Sequence, residues 1–362
     1  MIERTHPWTL VDLTLIDGER HEAILPAVAA GFRVALLNTF QSIWRLPGMP
    51  PLHHRVIPGR GLLGSRPGIA ALWLQLRARK ARRERKLRAR GAGCDRISVL
   101  RSLCADLGLD MESQIAREHW LIPFTYSKLP VLCVHAEEFE FPHQVPDRVH
   151  YVGPMILRQR AAAATSQDPE LSGLAALLAK HEAPGEKRKL LYAGFGSFFS
   201  ASNRLIERIL EAVRAHEDWD LVLSLGGQRT PADFAPLPGR VLALPWVPQL
   251  EVLEHADVAI VHGAINTYNE CVSSGVPTLT YGGGETDMPG NAARAEFHGI
   301  GLIGDEARET AGNLEAHLIR LLEDPLYRTN IERLRGSYRR YEANQVAERT
   351  VSDVLLAESP SS

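Results

Sequence analysis

The residues best suited to chemistry lie between Trp246 and Asn291, in the run WVPQLEVLEHADVAIVHGAINTYNECVSSGVPTLTYGGGETDMPGN. Short apolar segments at 259–261 and 278–280 read as strands, and each ends in small or polar residues. One end carries His262, Gly263, Asn266 and Thr267 and leads into a helix, with Glu270 one turn along. The other carries Gly282 to Gly284 and then Asp287. In a parallel α/β sheet, ligands bind beyond the carboxyl ends of the strands. A helix that starts there offers unpaired N–H groups and the positive end of its dipole, which suits phosphate. Residues 262–267 therefore read as a diphosphate cradle. Glu270 can accept hydrogen bonds from vicinal hydroxyls such as those of a ribose, and Trp246 offers a flat face for a base.

These residues resemble, in order and spacing, the nucleotide-sugar signature of family 1 glycosyltransferases, the UDP-glycosyltransferase class. The pattern is W-x-P-Q, then H-G-x-x-N-[ST]-x-x-E, then G-V-P, then D-x-P-x-N-A. The resemblance implies a GT-B architecture, two Rossmann-like α/β domains with a cleft between them. It implies that Trp246 stacks on uracil, that Gln249 touches base or ribose, and that His262, Asn266 and Thr267 hold the diphosphate. Glu270 would hold the ribose and Asp287 the sugar. Gly196, Ser197, Val247, Gly263, Ala264 and Met288 complete the implied donor-binding set. Two positions depart from the family pattern. Ala264 stands where a second glycine is usual, and Met288 stands where a glutamine is usual. A thioether donates no hydrogen bond to a sugar hydroxyl.

The elements around this stretch divide the chain. Residues 1–154 read as an acceptor-binding domain, 155–186 as a linker and 187–362 as the nucleotide-sugar domain. In the last, strands are expected at 189–193, 221–225 and 241–244, with an amphipathic helix over 203–216. Helices are also expected at 250–255, 313–322 and from Tyr327 onward. In the first part, a strand over Trp8 to Ile16, a helix over 22–30 and a strand over 33–37 form a β-α-β unit. Residues 47–67 read as a long loop rich in Pro, Gly and Arg. Helices are expected at 69–90 and 99–107, and a strand at 131–134. Tyr151-Val152-Gly153-Pro154 resembles the family's closing signature for its first domain. The family's opening strand, glycine-rich loop and histidine are not matched, so the first domain reads as incomplete.

That leaves the catalytic base without a candidate. Asp17 falls where the family keeps the carboxylate that orients its catalytic histidine; the alternative is a helix cap. His21 lies one turn later and reads as a solvated helix residue. His53 and His54 sit in the proline-rich loop, and His255 reads as packing. The implied reaction is inverting transfer of a sugar, a hexose, from a UDP-sugar co-substrate to a hydroxyl on a small lipophilic acceptor. The helix terminus and His262 would stabilise the leaving diphosphate without a metal. A chain that binds donor but is inactive alone, either truncated or needing a partner polypeptide for its base, is the competing reading.

Composition narrows the classes. The chain has 362 residues, 45% hydrophobic and 23% charged, with net charge −2. Cys94, Cys104, Cys133 and Cys271 show no C-x-x-C spacing, which suits reduced thiols in a cytoplasmic protein. No metal motif, cofactor motif or nucleic-acid recognition motif is visible. Charge is uneven. Residues 1–154 hold 21 Lys and Arg against 15 Asp and Glu, whereas residues 155–362 hold 20 against 28. The basic excess comes from Arg77 to Arg90, RARKARRERKLRAR, which reads either as a solvated face or as a peripheral contact with an anionic membrane.

Overall fold

The computed structural model describes residues 11–91, 94–117, 119–120, 124–156, 171–183, 185, 187–196, 201–227, 229–284 and 286–356. The chain forms two compact units. One comprises Met1–Pro154 with Arg340–Ser362, the other Met155–Arg339.

The first unit is built on a four-stranded parallel sheet in the order β1-β2-β5-β6. These strands are β1 (Thr14–Asp17), β2 (Val34–Asn38), β5 (Val131–Cys133) and β6 (Val149–Tyr151). A small antiparallel pair, β3 (Ile115–Ala116) and β4 (Thr125–Tyr126), stands apart. Helix α1 (His21–Ala29) connects β1 to β2 and buries Ile24, Leu25 and Ala27. The first strand is shorter than the sequence suggests, and the expected Trp8 to Leu10 lie outside the described residues. Alternation across the sheet sends Val34 and Leu36 into one core and Ala35 into another, with Leu132 and Val152.

The segment 47–67 is not a simple surface loop. Met49, Leu52, Val56 and Ile57 are buried, and the Met49 carbonyl accepts a 2.7 Å hydrogen bond from Trp73 Nε1. That tryptophan belongs to α2 (Arg66–Gly91), which buries Ile69, Leu72, Trp73 and Leu76. This i, i+3, i+4, i+7 stripe explains why an otherwise polar helix docks. Helix α3 (Arg96–Asp106) starts at Asp95, whose carboxylate accepts from Ser98 N.

The second unit holds a six-stranded parallel sheet in the order β12-β11-β10-β7-β8-β9. Its strands are β7 (Lys189–Gly194), β8 (Trp219–Ser224), β9 (Val241–Leu244), β10 (Val258–Val261), β11 (Thr278–Thr280) and β12 (Gly301–Ile303). The first strand is central, the next two lie on one side and the last three on the other. This is the doubly wound order, and its switch point falls between β7 and β10. Those two strands pair from Val258↔Leu191 to Val261↔Gly194, so Gly194 and Val261 finish side by side. Both are buried along nearly their whole length, as interior parallel strands require.

Two sequence expectations change here. The span read as a linker contains a helix, α4 (Ser172–Glu182), with Leu174 and Leu178 buried against Leu190, Val222 and Leu244. An ion cluster fixes it: Lys180, His181 and Arg188 all donate to the buried carboxylate of Asp220. The chain from Arg340 onward belongs to the first unit, not to the nucleotide-sugar half. Tyr341 lies against Gly153, where a Cβ would come within 2.5 Å of the tyrosine's own Cβ. Gly153 has φ +83° as well, so only glycine serves there. Arg33 donates to the carbonyls of Leu355 and Leu356, and Leu355 packs with Ala35, Leu132 and Val152.

Candidate functional site

Four helices of the second unit bear on the site. They are α5 (Asn203–Arg214), α6 (Gln249–Leu253), α7 (Ile265–Ser274) and α8 (Met288–Phe297). The last three each follow a loop from the carboxyl end of a strand: β9 leads to α6, β10 to α7 and β11 to α8.

The loop after β10 starts α7 without a side-chain cap, since Ala264 at the N-cap position makes no such hydrogen bond. The first-turn N–H groups are therefore open to an anion. Ala264 has φ −63°, an ordinary extended conformation, so alanine fits where the family has glycine. Gly263 is different: its φ is +98°, and a Cβ would sit 3.0 Å from Thr280 Cγ2. His262 packs against Gly196 (φ +71°), where a Cβ would lie 3.1 Å from the ring. Burial lowers the pKa of His262 below the usual histidine value, and the Gly194 backbone opposes this in part. On α7 Asn266 is exposed, Thr267 is buried and Glu270 is half-buried. Ser197 lies outside the described residues.

The loop after β9 presents Trp246 to solvent, 60% exposed, so its ring is not part of the core. Its indole rests on Gly227, in the loop that follows β8. A Cβ on Gly227 would come 2.5 Å from Cζ2 and 2.9 Å from Nε1. Gly227 has φ +73°, and its N–H donates to the Pro245 carbonyl at 3.0 Å, tying the two loops together. Val247 is half-buried beside the exposed ring. Gln249 then makes two bonds that fix its amide. Its Oε1 accepts from Tyr192 OH at 2.8 Å, and its Nε2 donates to Glu270 Oε2. The two residues expected to share a ribose thus meet, although they sit in different helices.

The loop after β11 brings Asp287 to the start of α8. Burial raises the Asp287 pKa, and the hydrogen bond from Asn291 counters this. Asn291 Nδ2 donates to Asp287 Oδ2 at 2.8 Å and to the Gly263 carbonyl at 3.0 Å. It therefore locks the Asp287 carboxylate to the loop after β10. Met288 is buried, with its Cβ placed 2.9 Å from where a Cβ on Gly282 would be. Close approach of the two loops accounts for that glycine.

The sequence reading assigned no role to Tyr192, Gly227 or Asn291. Asn291 stands four residues after Asp287 on a helix, and Gly226-Gly227 follows a strand; those were the available signals.

The first unit is less ready for catalysis. Asp17 is exposed, and its Oδ1 accepts from Glu19 N at 2.8 Å, a local turn. His21 is fully buried, not solvated: Nδ1 meets Tyr126 OH at 3.1 Å and the ring packs on Phe124. The His53 and His54 rings meet at a 42° tilt with centroids 4.1 Å apart; burial, helped by the charges of His54 and Arg79, pushes the His53 pKa down to about 4. His255 lies 3.7 Å from Glu182. Among the described residues, no group of three or more His, Cys, Asp or Glu side chains could hold a metal ion. No described helix is long and apolar enough to cross a membrane.

The fold and the arrangement of these loops define the class as GT-B. The calicheamicin glycosyltransferase CalG4 superposes with a TM-score of 0.63 over 96% of this chain and 74% of its own, at 18% identity. The kitacinnamycin glycosyltransferase gives 0.62 over 94% and 76%, at 23% identity. Residues 207–350 match the family described as "Erythromycin biosynthesis protein CIII-like, C-terminal domain". Demethyllactenocin mycarosyltransferase of Streptomyces fradiae is 29% identical over 58% of this chain and 41% of its own length. Oleandomycin glycosyltransferase of Streptomyces antibioticus is 27% identical over 49% and 40%. The chain is similar to these glycosyltransferases, and residues 207–350 carry the family match. It matches about two fifths of the length of these curated relatives.

Proposed function

We propose that the second unit binds a nucleoside diphosphate sugar, UDP-linked, and that the protein transfers the sugar with inversion to a hydroxyl of a small lipophilic acceptor. The observation that carries this reading is the meeting of Gln249 and Glu270 beside an exposed Trp246, next to the uncapped start of α7. A base stacks on the indole, the ribose hydroxyls reach Glu270, and the diphosphate lies at the helix start with His262. As the bond to the anomeric carbon breaks, charge grows on the diphosphate, where the α7 N–H groups and the His262 N–H stabilise it. No metal is needed in this scheme. Relatives named for demethyllactenocin, oleandomycin and aclacinomycin-T favour a natural-product acceptor. The apolar Met288 beside Asp287 favours a sugar poor in hydroxyls at that point, as in the relative named a 2-deoxy-L-fucose transferase.

Titration calorimetry with UDP and TDP, with Trp246→Ala and His262→Ala as controls, tests the donor half. Failure of every nucleoside diphosphate to bind the folded protein would overturn it.

A second reading is that this chain binds donor but turns over slowly, its base coming from another polypeptide. Its support is the local engagement of Asp17 and the burial of His21. An acceptor alcohol needs a base within hydrogen-bond reach, and a positioned base contributes about 10²–10⁴-fold. Robust transfer by the 362-residue chain alone would exclude this second reading.

A further inference from the structure

Helix α2 carries ten Lys and Arg residues and one acid, Glu84, between Arg66 and Gly91. Its first half is anchored in the first unit by Ile69, Leu72, Trp73 and Leu76. Further along the same side, Lys80 donates to the His119 carbonyl and Glu84 lies 3.7 Å from Arg117. The opposite side meets solvent. At 100° per residue, that side runs through Ala71, Leu74, Ala78, Ala81, Arg85 and Ala89, all exposed. Arg77 and Arg88 border this ridge on one flank, and Arg82 and Lys86 on the other. The apolar members are not shielded: Leu74 is 67% exposed. The turn just before the helix adds Leu62, 91% exposed, and Leu63, 57% exposed.

A solvated basic face has no use for three protruding leucines and an alanine ridge. A nucleic acid would be held by the cations alone. The combination is that of an interfacial helix, in which short apolar groups enter the headgroup layer while long basic side chains reach back to lipid phosphates. We propose that α2 and the preceding turn form a docking surface for an anionic phospholipid bilayer. Charge complementarity supplies the long-range part, and Leu62, Leu63 and Leu74 supply the shallow insertion.

Co-sedimentation of the full chain with phosphatidylcholine vesicles, with and without phosphatidylglycerol, tests this. Binding is expected only with the acidic lipid and should weaken as salt rises. The triple variant Arg82→Gln, Arg85→Gln, Lys86→Gln should lose about 100-fold in binding, since each basic residue near an acidic surface contributes a factor of about five. Leu62→Ser with Leu63→Ser should weaken binding while leaving its salt dependence in place. Circular dichroism melts accompany each variant, so that a loss of binding is separated from a loss of folding. Equal binding to neutral vesicles, or none to acidic ones by the wild type, would overturn the proposal. So would double-stranded DNA displacing the protein from acidic vesicles at stoichiometric amounts, which would point to a nucleic-acid surface instead.

Discussion

Replacing Gly227 by alanine should cost nucleotide binding without unfolding the protein. The residue has φ +73°, where an alanine pays about 1–2 kcal/mol. Its new Cβ would lie 2.5 Å from Trp246 Cζ2, well inside an ordinary carbon contact of about 3.5–4.0 Å. The indole must therefore leave its seat by at least about 1 Å. It can do so cheaply, because it is 60% exposed and not wedged in the core. What is lost is the surface on which a base would stack, and such stacking is worth about 1–3 kcal/mol per base. The affinity for UDP should fall accordingly, by about 5- to 150-fold. Trp246→Ala should show the same loss. If Gly227 acts only through the indole, the double variant should bind no more weakly than Trp246→Ala alone. Calorimetric titration of the four proteins reads this directly, with thermal melts to measure the backbone strain. Unchanged affinity in Gly227→Ala, or additive losses in the double variant, would refute the stacking seat.

Glu270→Ala should weaken UDP binding by about 1–3 kcal/mol, because it removes charge-assisted hydrogen bonds. Asp287→Ala should barely alter UDP but should weaken the intact nucleotide sugar; equal losses on UDP alone would contradict that division. Tyr192→Phe should lower UDP affinity by about 1 kcal/mol, since it frees the Gln249 amide to turn away from Glu270, and should add nothing to Gln249→Ala. For Asp220, burial raises the pKa but hydrogen bonds from Arg188, Lys180 and His181 outweigh it, leaving a folded value of about 2 against 3.8. A depressed pKa stabilises the fold above the unfolded value and ceases to do so as pH falls through about 2. Asp220→Asn should therefore cost about 2 kcal/mol in urea unfolding at pH 7, with the gap to wild type narrowing below about pH 4.

The second unit was legible because its signals are local. Interior parallel strands read as apolar runs, and the loops that end them carry the candidate site residues within a few positions. α5 was visible for a similar reason, with Leu205, Ile206, Ile209, Leu210 and Val213 on one face. Features set by distant partners were not legible. Residues 172–182 look like an alanine-rich connector until Leu190, Val222 and Leu244 cover Leu174 and Leu178 and Asp220, about forty positions later, takes Lys180 and His181. His21 looks solvated until Phe124 and Tyr126 arrive more than a hundred residues on. Gly227 looks like a turn glycine until Trp246 is laid across it.

The contacts within the site also assign work to residues that touch no ligand in the proposed scheme. The base and ribose side is held by one set of ties: Gly227 N–H to Pro245, Tyr192 to Gln249, and Gln249 to Glu270. The phosphate and sugar side is held by another: Asn291 to both Asp287 and Gly263, with Gly282 letting the two loops approach. Helix α7 is common to both, since its first turn follows Gly263 and its second carries Glu270. A ligand that spans base, ribose and diphosphate therefore meets groups already fixed relative to one another, and little ordering cost is left to offset on binding. Orientation matters most for the sugar, which must be held still while its anomeric bond breaks. That is where Asn291 acts, by making one amide group serve the carboxylate of one loop and the carbonyl of the other.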